Sequence, residues 1–379
     1  MNSGSMARLS IDLAALAHNY RDLAARAAPA RCGAAVKANA YGIGLEPALR
    51  TLAGAGCESF FTATLDEAIA ARAVVASAHI YVLNGLPPGS GGEFVRHDLR
   101  PVLGNRDEIA EWSAFARAHA GADVPPVALH IDTGMNRLGL MAADVAALQA
   151  SPDWLSGVDV ALVMSHLACA DEPAHPKNAA QLQAFNRLRA LLPAAPASLA
   201  NSGGIFLGPD YHFDLVRPGI ALYGGEAVAG AANPMRPVVR LEARIAQVRR
   251  IGAGETVGYG GAYTATGPRR IATIPVGYAD GYARALGGTD EREGAPVAIG
   301  GRMARLAGRV SMDLITVDVT GLPEGDIRRG TWVELIGPHI SIDDLARHAH
   351  TIGYEILTRL GPRHERVYLN GDPHESNRS

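Results

Sequence analysis

The sequence predicts an α/β protein: an N-terminal (β/α)8 barrel of the TIM type, residues 8–235, followed by a mainly β domain, residues 236–370. Between residues 30 and 220, eight short apolar runs alternate with helical patterns, as in a parallel sheet covered by helices. The first run ends in KANAYGIG rather than GxGxxG, which argues against an open dinucleotide-binding sheet. After residue 235, glycine-rich turns separate successive strands, mostly without helices between them.

Eight βα units close naturally into a barrel. The predicted strands, in chain order, are CGAAVKA, SFFTAT, HIYVL, LRPVL, PVALHID, DVALVMSH, ASLAN and FDLVRPGI. The segments between them, such as RDEIAEWSAFARAHA, carry apolar residues at helical spacing. The N-terminus MNSGSMARLS leads directly into a helical pattern, and both Met1 and Met6 are candidates for the natural start.

The C-terminal domain is predicted to be built from strands. They are VVRLEARIAQVRRI, RIATIPVG, APVAIGG, LITVDVT and TWVELIG, and the join to the barrel lies near residues 233–237. SIDDLARHA opens with a capping-box pattern, Ser341 with Asp344, and predicts one short helix.

The composition is that of an ordinary globular protein. Hydrophobic residues make up 48% of the 379, charged residues 19%, and the net charge is −3, so no basic field indicates nucleic acid. No apolar run approaches the roughly 20 residues of a membrane span, and the N-terminus lacks a signal-peptide core. Three cysteines without CxxC spacing predict reduced thiols and a cytoplasmic location.

Polar side chains fall where barrel strands end, the rim that carries the chemistry in this architecture. Each has an ordinary structural explanation when taken singly, but their joint placement at one rim predicts a site. They are Lys37 at the end of strand one, Arg137 beyond strand five, His166 at the end of strand six, Asn201 and Ser202 at the end of strand seven, and Arg217 at the end of strand eight.

The loops after strands seven and eight are the usual phosphate site of such barrels. Here they read NSGG, residues 201–204, and RPGI, residues 217–220, whose small residues let backbone N–H groups approach a phosphate. Lys37 can hold an aldehyde as a Schiff base. A phosphorylated aldehyde without a nucleotide fingerprint indicates pyridoxal 5'-phosphate, so the sequence predicts this cofactor and no metal.

Nine segments together resemble alanine racemase, the barrel-type (fold type III) pyridoxal-phosphate family. They run in the family's order from about residue 9 to 368 and include AVKANAYGIG, DTGMNRLG, MSHLACAD, NSGG, VRPGIALYG, VGYGGAYTA, IPVGYADGY, GRVSMDLITVD and GYEILTRLGPR.

The resemblance implies racemisation of alanine by two bases, Lys37 on the D-face and Tyr259 on the L-face, in a homodimer with shared active sites. It also implies a supply of D-alanine for cell-wall peptidoglycan. The implied cofactor-binding residues are Lys37, Tyr41, Leu83, Arg137, His166, Asn201, Ser202, Arg217, Gly219, Ile220 and Tyr354. The implied substrate-binding residues are Arg137, Met312, Asp313 and Tyr278, with Met312 and Asp313 supplied by a second subunit.

The implied roles are chemically coherent. Arg217 beside the pyridine nitrogen would keep that nitrogen unprotonated and the ring a modest electron sink, which favours reprotonation over side reactions. A lysine and a tyrosine on opposite faces exchange protons without the substrate turning over. Their ordinary pKa values, about 10.4 and 10, require a site that lowers them or an alkaline optimum.

One residue departs from the family pattern. Many relatives carry, at the position of His130, a lysine modified to a carbamate that supports the arginine equivalent to Arg137. A histidine cannot form that carbamate. Either His130 supports Arg137 through a ring nitrogen, or an anion does so.

Several other interpretations are weaker. The DTG at residues 132–134 has no second copy, which an aspartic protease requires. His166, Cys169, Asp171 and His175 match no zinc spacing.

Three alternatives within pyridoxal-phosphate chemistry remain. A non-catalytic carrier would end after the barrel, and a decarboxylase would place a carboxylate where Arg217 stands. The third is a racemase of broader specificity that acts on serine or lysine, and the sequence distinguishes it poorly from a racemase specific for alanine.

Overall fold

Two sheets of different character divide the protein in the computed structural model, which describes residues 6–119 and 123–371. One is parallel and curls into a barrel, and the other is a nine-stranded, mostly antiparallel sheet. The predicted fold class, a barrel followed by a mainly β domain, is confirmed.

The barrel contains eight strand positions. Seven strands pair in parallel, in chain order: Ala34–Ala35, Ser59–Thr62, His79–Val82, Arg100–Leu103, Val127–His130, Val160–Met164 and Ala197–Ser198. Leu215–Val216 occupies the eighth position and pairs in parallel with Arg31–Cys32, the first half of strand one. The Arg217 N–H donates to the Ala200 carbonyl at 2.9 Å, which links strand eight back to strand seven. These contacts close the barrel.

Strand one differs from its prediction. It was expected to run through Lys37, but its second half ends at Ala35, and Gly33 separates the two halves. A Cβ at Gly33 would lie 2.9 Å from the Phe61 ring, so only glycine fits against the second strand there.

Helices surround the barrel, and several begin with a side-chain cap. Thr64 and Glu67 form a capping box at the start of one helix, and the Asn105 side chain caps another. The α-helices are Leu13–Ala27, Leu45–Gly54, Leu65–Arg72, Gly91–Arg96, Arg106–Ala118, Ala142–Ala150, Pro176–Arg189 and Ser202–Phe206. Lys37–Tyr41 is a short turn of left-handed residues and not an α-helix. Short 3-10 turns lie at Pro152–Leu155, Pro209–Tyr211 and Ile220–Tyr223.

The nine-stranded sheet forms the second domain. Its order is Gln247–Ile251, Arg269–Ile274, Ile315–Asp318, Arg302–Leu306, Pro296–Ile299, Trp332–Ile336, Val239–Arg244, Ala7–Asp12 and Glu365–Leu369. A separate hairpin joins Thr256–Val257 to Tyr263–Thr264. Short 3-10 turns lie at Tyr259–Gly261, Tyr278–Asp280, Arg284–Leu286 and Glu324–Asp326. The predicted helix is present as Ile342–His348 with its Ser341 capping box, and a second helix, Gly353–Thr358, was not predicted.

The chain enters through this second domain. Ala7–Asp12 was not predicted as a strand, and residues from 8 onward were assigned to the barrel domain. This segment is a strand that pairs with Val239–Arg244 and Glu365–Leu369. Residues 8–12 therefore do not belong to the barrel sheet. The remaining domain limits, near residues 235 and 370, stay a proposal.

Among the residues described, no helix combines the length and apolarity that crossing a membrane requires.

Candidate active site

A cavity of about 280 Å³ opens at the carboxyl ends of the barrel strands. It brings together almost every cofactor-binding residue predicted from the sequence. Its lining comprises Ala35, Lys37, Ala38, Tyr41, Phe61, Leu83, Arg137, His166, Asn201, Ser202, Arg217, Gly219, Tyr354 and Thr358. Ile220, also predicted, is buried directly after Gly219 and is not part of this lining.

Lys37 begins a left-handed turn instead of ending a strand. Residues 38–41 all have φ between 52° and 54°, and Gly42 closes the turn at φ 87°. Burial lowers the pKa of the Lys37 amine, the nearby Arg137 guanidinium lowers it further, and the Glu67 carboxylate opposes both. The net lowering brings the lysine closer to the range in which it works as a base at neutral pH.

Arg217 lies buried at the base of the cavity. Its guanidinium donates to Ser198 Oγ and, at 2.6 Å, to the Ser165 carbonyl, and it lies 3.4 Å from His166 Nδ1. Burial lowers the pKa of Arg217 to about 9, which leaves it protonated at neutral pH. Burial and the Arg217 and Arg137 charges hold the pKa of His166 well below its usual range, so its imidazole is neutral.

Hydroxyls and small residues converge at the loops after strands seven and eight. Ser202 Oγ accepts the Gly219 N–H at 2.8 Å, which draws the two loops together. A Cβ at Gly219 would collide with the Tyr41 hydroxyl. Burial raises the pKa of Tyr41, and it raises that of Tyr354 to about 12, so both phenols are protonated donors at neutral pH.

The loop that carries Arg137 is shaped by one carboxylate. Asp132 Oδ1 accepts the N–H groups of Gly134, Met135 and Asn136 at 2.9–3.1 Å, and Asn136 is left-handed at φ 56°. Asp132 therefore holds the turn that precedes Arg137, a residue of the cavity lining. Its oxygens are engaged by backbone amides, which gives this DTG a structural role.

His130 ends the fifth strand and is half-buried. Burial and the charges of Arg217 and Arg137 lower its pKa to about 4, so the ring is neutral. Within the described ranges, no hydrogen bond joins His130 to Arg137. Direct support through a ring nitrogen is therefore not the arrangement adopted here.

The predicted second base and its neighbours lie outside the cavity of their own chain, as far as the described residues show. Tyr259 is 72% exposed on a turn between Gly258 and Gly260, both left-handed. Tyr278 and Met312 are 44% and 54% exposed. The Tyr278 loop is paired through backbone hydrogen bonds to Ser311 and Met312, so the two exposed residues lie on adjacent segments of the chain. Asp313 accepts a hydrogen bond from Arg363 at 2.8 Å.

The residues that support the cavity lining through hydrogen bonds were not predicted from the sequence. Gln181, fully buried, donates to the His166 carbonyl at 2.9 Å and to Thr133 Oγ1 at 3.1 Å, and it accepts the Ala168 N–H at 2.9 Å. Ser165 and Ser198 hold Arg217. Only the short polar residues near strand ends could have suggested these roles, and they do not identify partners.

Comparison with known proteins places the chain in a family. The model of the alanine racemase N-terminal domain matches residues 11–227, and that of the C-terminal domain matches residues 238–368. The chain belongs to the alanine racemase family, which confirms the resemblance and the predicted class of enzyme.

Individual relatives match over nearly their whole length. A catabolic alanine racemase from Mesorhizobium japonicum is 50% identical over 96% of this chain and 93% of its own. A biosynthetic alanine racemase from Agrobacterium fabrum is 48% identical over 96% and 94%. The crystal structure of alanine racemase from Bartonella henselae with covalently bound pyridoxal phosphate superposes with a TM-score of 0.91, at 40% identity, over 96% of this chain and all of that one.

Proposed function

We propose that this protein interconverts L- and D-alanine with pyridoxal 5'-phosphate bound to Lys37. One observation carries the proposal: the cavity at the barrel mouth gathers a lysine of lowered pKa, a protonated buried arginine and a neutral histidine. The family and the Bartonella henselae structure with covalently bound pyridoxal phosphate support the same cofactor.

The residues present fit this cofactor. Tyr41, Tyr354, Ser202 and the amides after Arg217 would hold the phosphate, and the Gly219 N–H would exchange Ser202 Oγ for a phosphate oxygen. Neutral His166 would pack on the ring, and Arg217 would donate to its nitrogen. When bound, pyridoxal phosphate acidifies the Cα–H bond of an amino acid joined to it.

The chain's own groups then decide the outcome. The Lys37 amine, held at the start of the left-handed turn, would remove or return the Cα proton on the D-face. Arg217 stays protonated and so keeps electron withdrawal by the ring modest, which favours rapid return of the proton to Cα. Arg137 would bind the substrate carboxylate, since a guanidinium forms paired hydrogen bonds with that group.

The second base would come from a partner subunit. The exposure of Tyr259, Met312 and Tyr278 and their separation from the cavity of their own chain support a homodimer with two composite sites. The Tyr259 hydroxyl would act on the L-face of alanine. Met312 and Asp313 would border the substrate, and Tyr278 the entrance.

We also propose that the D-alanine formed supplies cell-wall peptidoglycan. The Agrobacterium fabrum relative named biosynthetic, 48% identical, supports this use, and the Mesorhizobium japonicum relative named catabolic, 50% identical, favours a degradative one. Deletion in the source organism should create a requirement for D-alanine if the proposal is right.

The reaction is tested with purified protein. Loss of optical activity should be fastest with L- or D-alanine and slower with serine, lysine and arginine. Borohydride treatment followed by digestion should place the reduced adduct on Lys37. An adduct on Lys177, or no racemisation of alanine, would contradict the proposal.

A further inference from the structure

The turn that follows Lys37 is unusual in its composition. Ala38, Asn39, Ala40 and Tyr41 are all left-handed, a conformation that non-glycine residues adopt rarely and almost never in succession. Residues held in this way persist only where the surroundings over-determine them. The contacts that hold the turn therefore also determine where the Lys37 amine points.

One carboxylate holds the turn from a neighbouring unit. Glu67 Oε1 accepts the Ala38 N–H at 2.7 Å, the first amide after Lys37. Its other oxygen accepts the Ala63 N–H at 2.9 Å and completes the capping box with Thr64. Glu67 is therefore anchored to the start of its own helix while it bridges to the lysine turn.

Glu67 also brings a negative charge near Lys37, and this charge acts against burial of the amine. Among the described residues that act on the amine, Arg137 from the loop after strand five and His166 from strand six bring no negative charge. Glu67 alone raises the pKa of Lys37, against burial and Arg137. The same side chain thus contributes both position and charge.

A second glutamate occupies the equivalent place two units further along the barrel. Glu108 lies at the third position of the helix Arg106–Ala118, and its Oε2 accepts the Gly104 N–H at 2.7 Å. It also accepts a hydrogen bond from the backbone of Leu86, in the loop of the preceding strand. Glu108 therefore repeats the backbone contacts of Glu67 without touching the lysine turn.

We propose that Glu67 is a positioning residue for proton transfer by Lys37, because its carboxylate fixes the left-handed turn that aims the amine at the substrate. This inference rests on the proposed function, and it goes beyond it by assigning a role to a residue outside the cavity lining. Glu67 needs no contact with substrate to act, since it works through the Ala38 amide.

The test compares Glu67→Gln and Glu67→Asp with Glu108→Gln as the matched control. Gln keeps the shape but loses the charge and one acceptor, and Asp keeps the charge but is shorter. For Glu67→Gln, kcat should fall by about 10-fold or more while the KM for alanine stays within about 2-fold, since misaligned groups lose rate more than binding. Glu108→Gln should leave kcat close to the parent value. Thermal unfolding of each variant shows whether a lower kcat comes from loss of the folded structure or from displacement of the Lys37 amine in a folded protein.

A second readout uses the cofactor-free protein. Trace labelling with acetic anhydride at a series of pH values, followed by mass spectrometry, gives the titration midpoint of Lys37. The midpoint should move to lower pH in Glu67→Gln, because the anion that raises the pKa is gone, and should not move in Glu108→Gln. In Glu67→Asp the Lys37 midpoint should lie between those of Glu67→Gln and the parent protein. The kcat of Glu67→Asp should stay below that of the parent.

Two failures are distinguishable. An unmoved Lys37 midpoint, together with a loss of kcat no larger than that of Glu108→Gln, would overturn the role of Glu67. Wild-type protein that does not racemise alanine would instead overturn the proposed function, while the Lys37 midpoint would still decide whether Glu67 acts on this amine.

Discussion

Replacing Gln181 with methionine should lower the stability of the protein and displace the two loops that carry cavity residues. The Gln181 amide is fully buried on the helix Pro176–Arg189 and joins the loop after strand five, through Thr133, to the loop after strand six, through His166 and Ala168. Methionine has a similar length and no hydrogen-bonding amide. It would leave the Ala168 N–H and the His166 carbonyl without their partner.

The cost follows from those two backbone groups. A buried polar group left unpaired costs about 1–3 kcal/mol, so two of them lower the free energy of unfolding by about 2–6 kcal/mol. Thr133 keeps a partner, because its hydroxyl lies 2.8 Å from Ser165 Oγ. Movement of His166 by a fraction of an ångström should reduce kcat/KM by about 10- to 100-fold.

Asn178 provides the control on the same helix. It is also buried, and its amide donates to the Glu172 carbonyl at 3.0 Å. Among the described residues, none of the cavity residues just named is hydrogen-bonded to its side chain. For Gln181→Met and Asn178→Leu, urea unfolding measures stability, cofactor titration measures binding of the cofactor, and the rate of racemisation gives kcat/KM. Asn178→Leu should lose stability and keep kcat/KM. If Gln181→Met unfolds at the same urea concentration as the parent, or keeps the parent kcat/KM, Gln181 does not support the site in this way.

Two further predictions concern the charged groups. Arg217→Glu should slow racemisation and raise the share of transamination, detected as pyruvate; a variant that racemises as fast as the parent would refute the role of Arg217. His130 has a folded pKa of about 4 and an unfolded pKa near 6.5, so its neutral form contributes stability above pH 6.5 that is lost as the pH falls towards 4. Between pH 7 and 4.5 the loss is about 2 kcal/mol, and His130→Gln should show a correspondingly smaller loss in urea unfolding.

Much of the site was predictable because parallel strands end at one rim. Lys37, His166 and Arg217 are far apart in the chain, but each follows a recognisable apolar run, and a barrel brings such ends together. The position of each residue then depended only on counting strands. That is why one cavity brings together nearly all of the residues predicted to bind the cofactor, while their individual roles stay predictions.

The errors have a common physical cause in contacts that no local pattern records. Ala7–Asp12 becomes a strand because it pairs with Val239–Arg244, more than two hundred residues later. The left-handed turn at residues 38–41 contains no glycine to signal it. The Thr64–Glu67 capping box is visible in the sequence, but the reach of Glu67 to Ala38 is not.

The central proposal is that each active site is built from two chains, and mixing of subunits tests this proposal directly. Lys37→Ala and Tyr259→Phe proteins should each be nearly inactive alone. After mixing and exchange, half of the dimers are mixed and each mixed dimer has one intact site, so about a quarter of all sites should recover activity. A tag pull-down establishes that subunits exchanged. Exchange without recovered activity would contradict a site built from two chains.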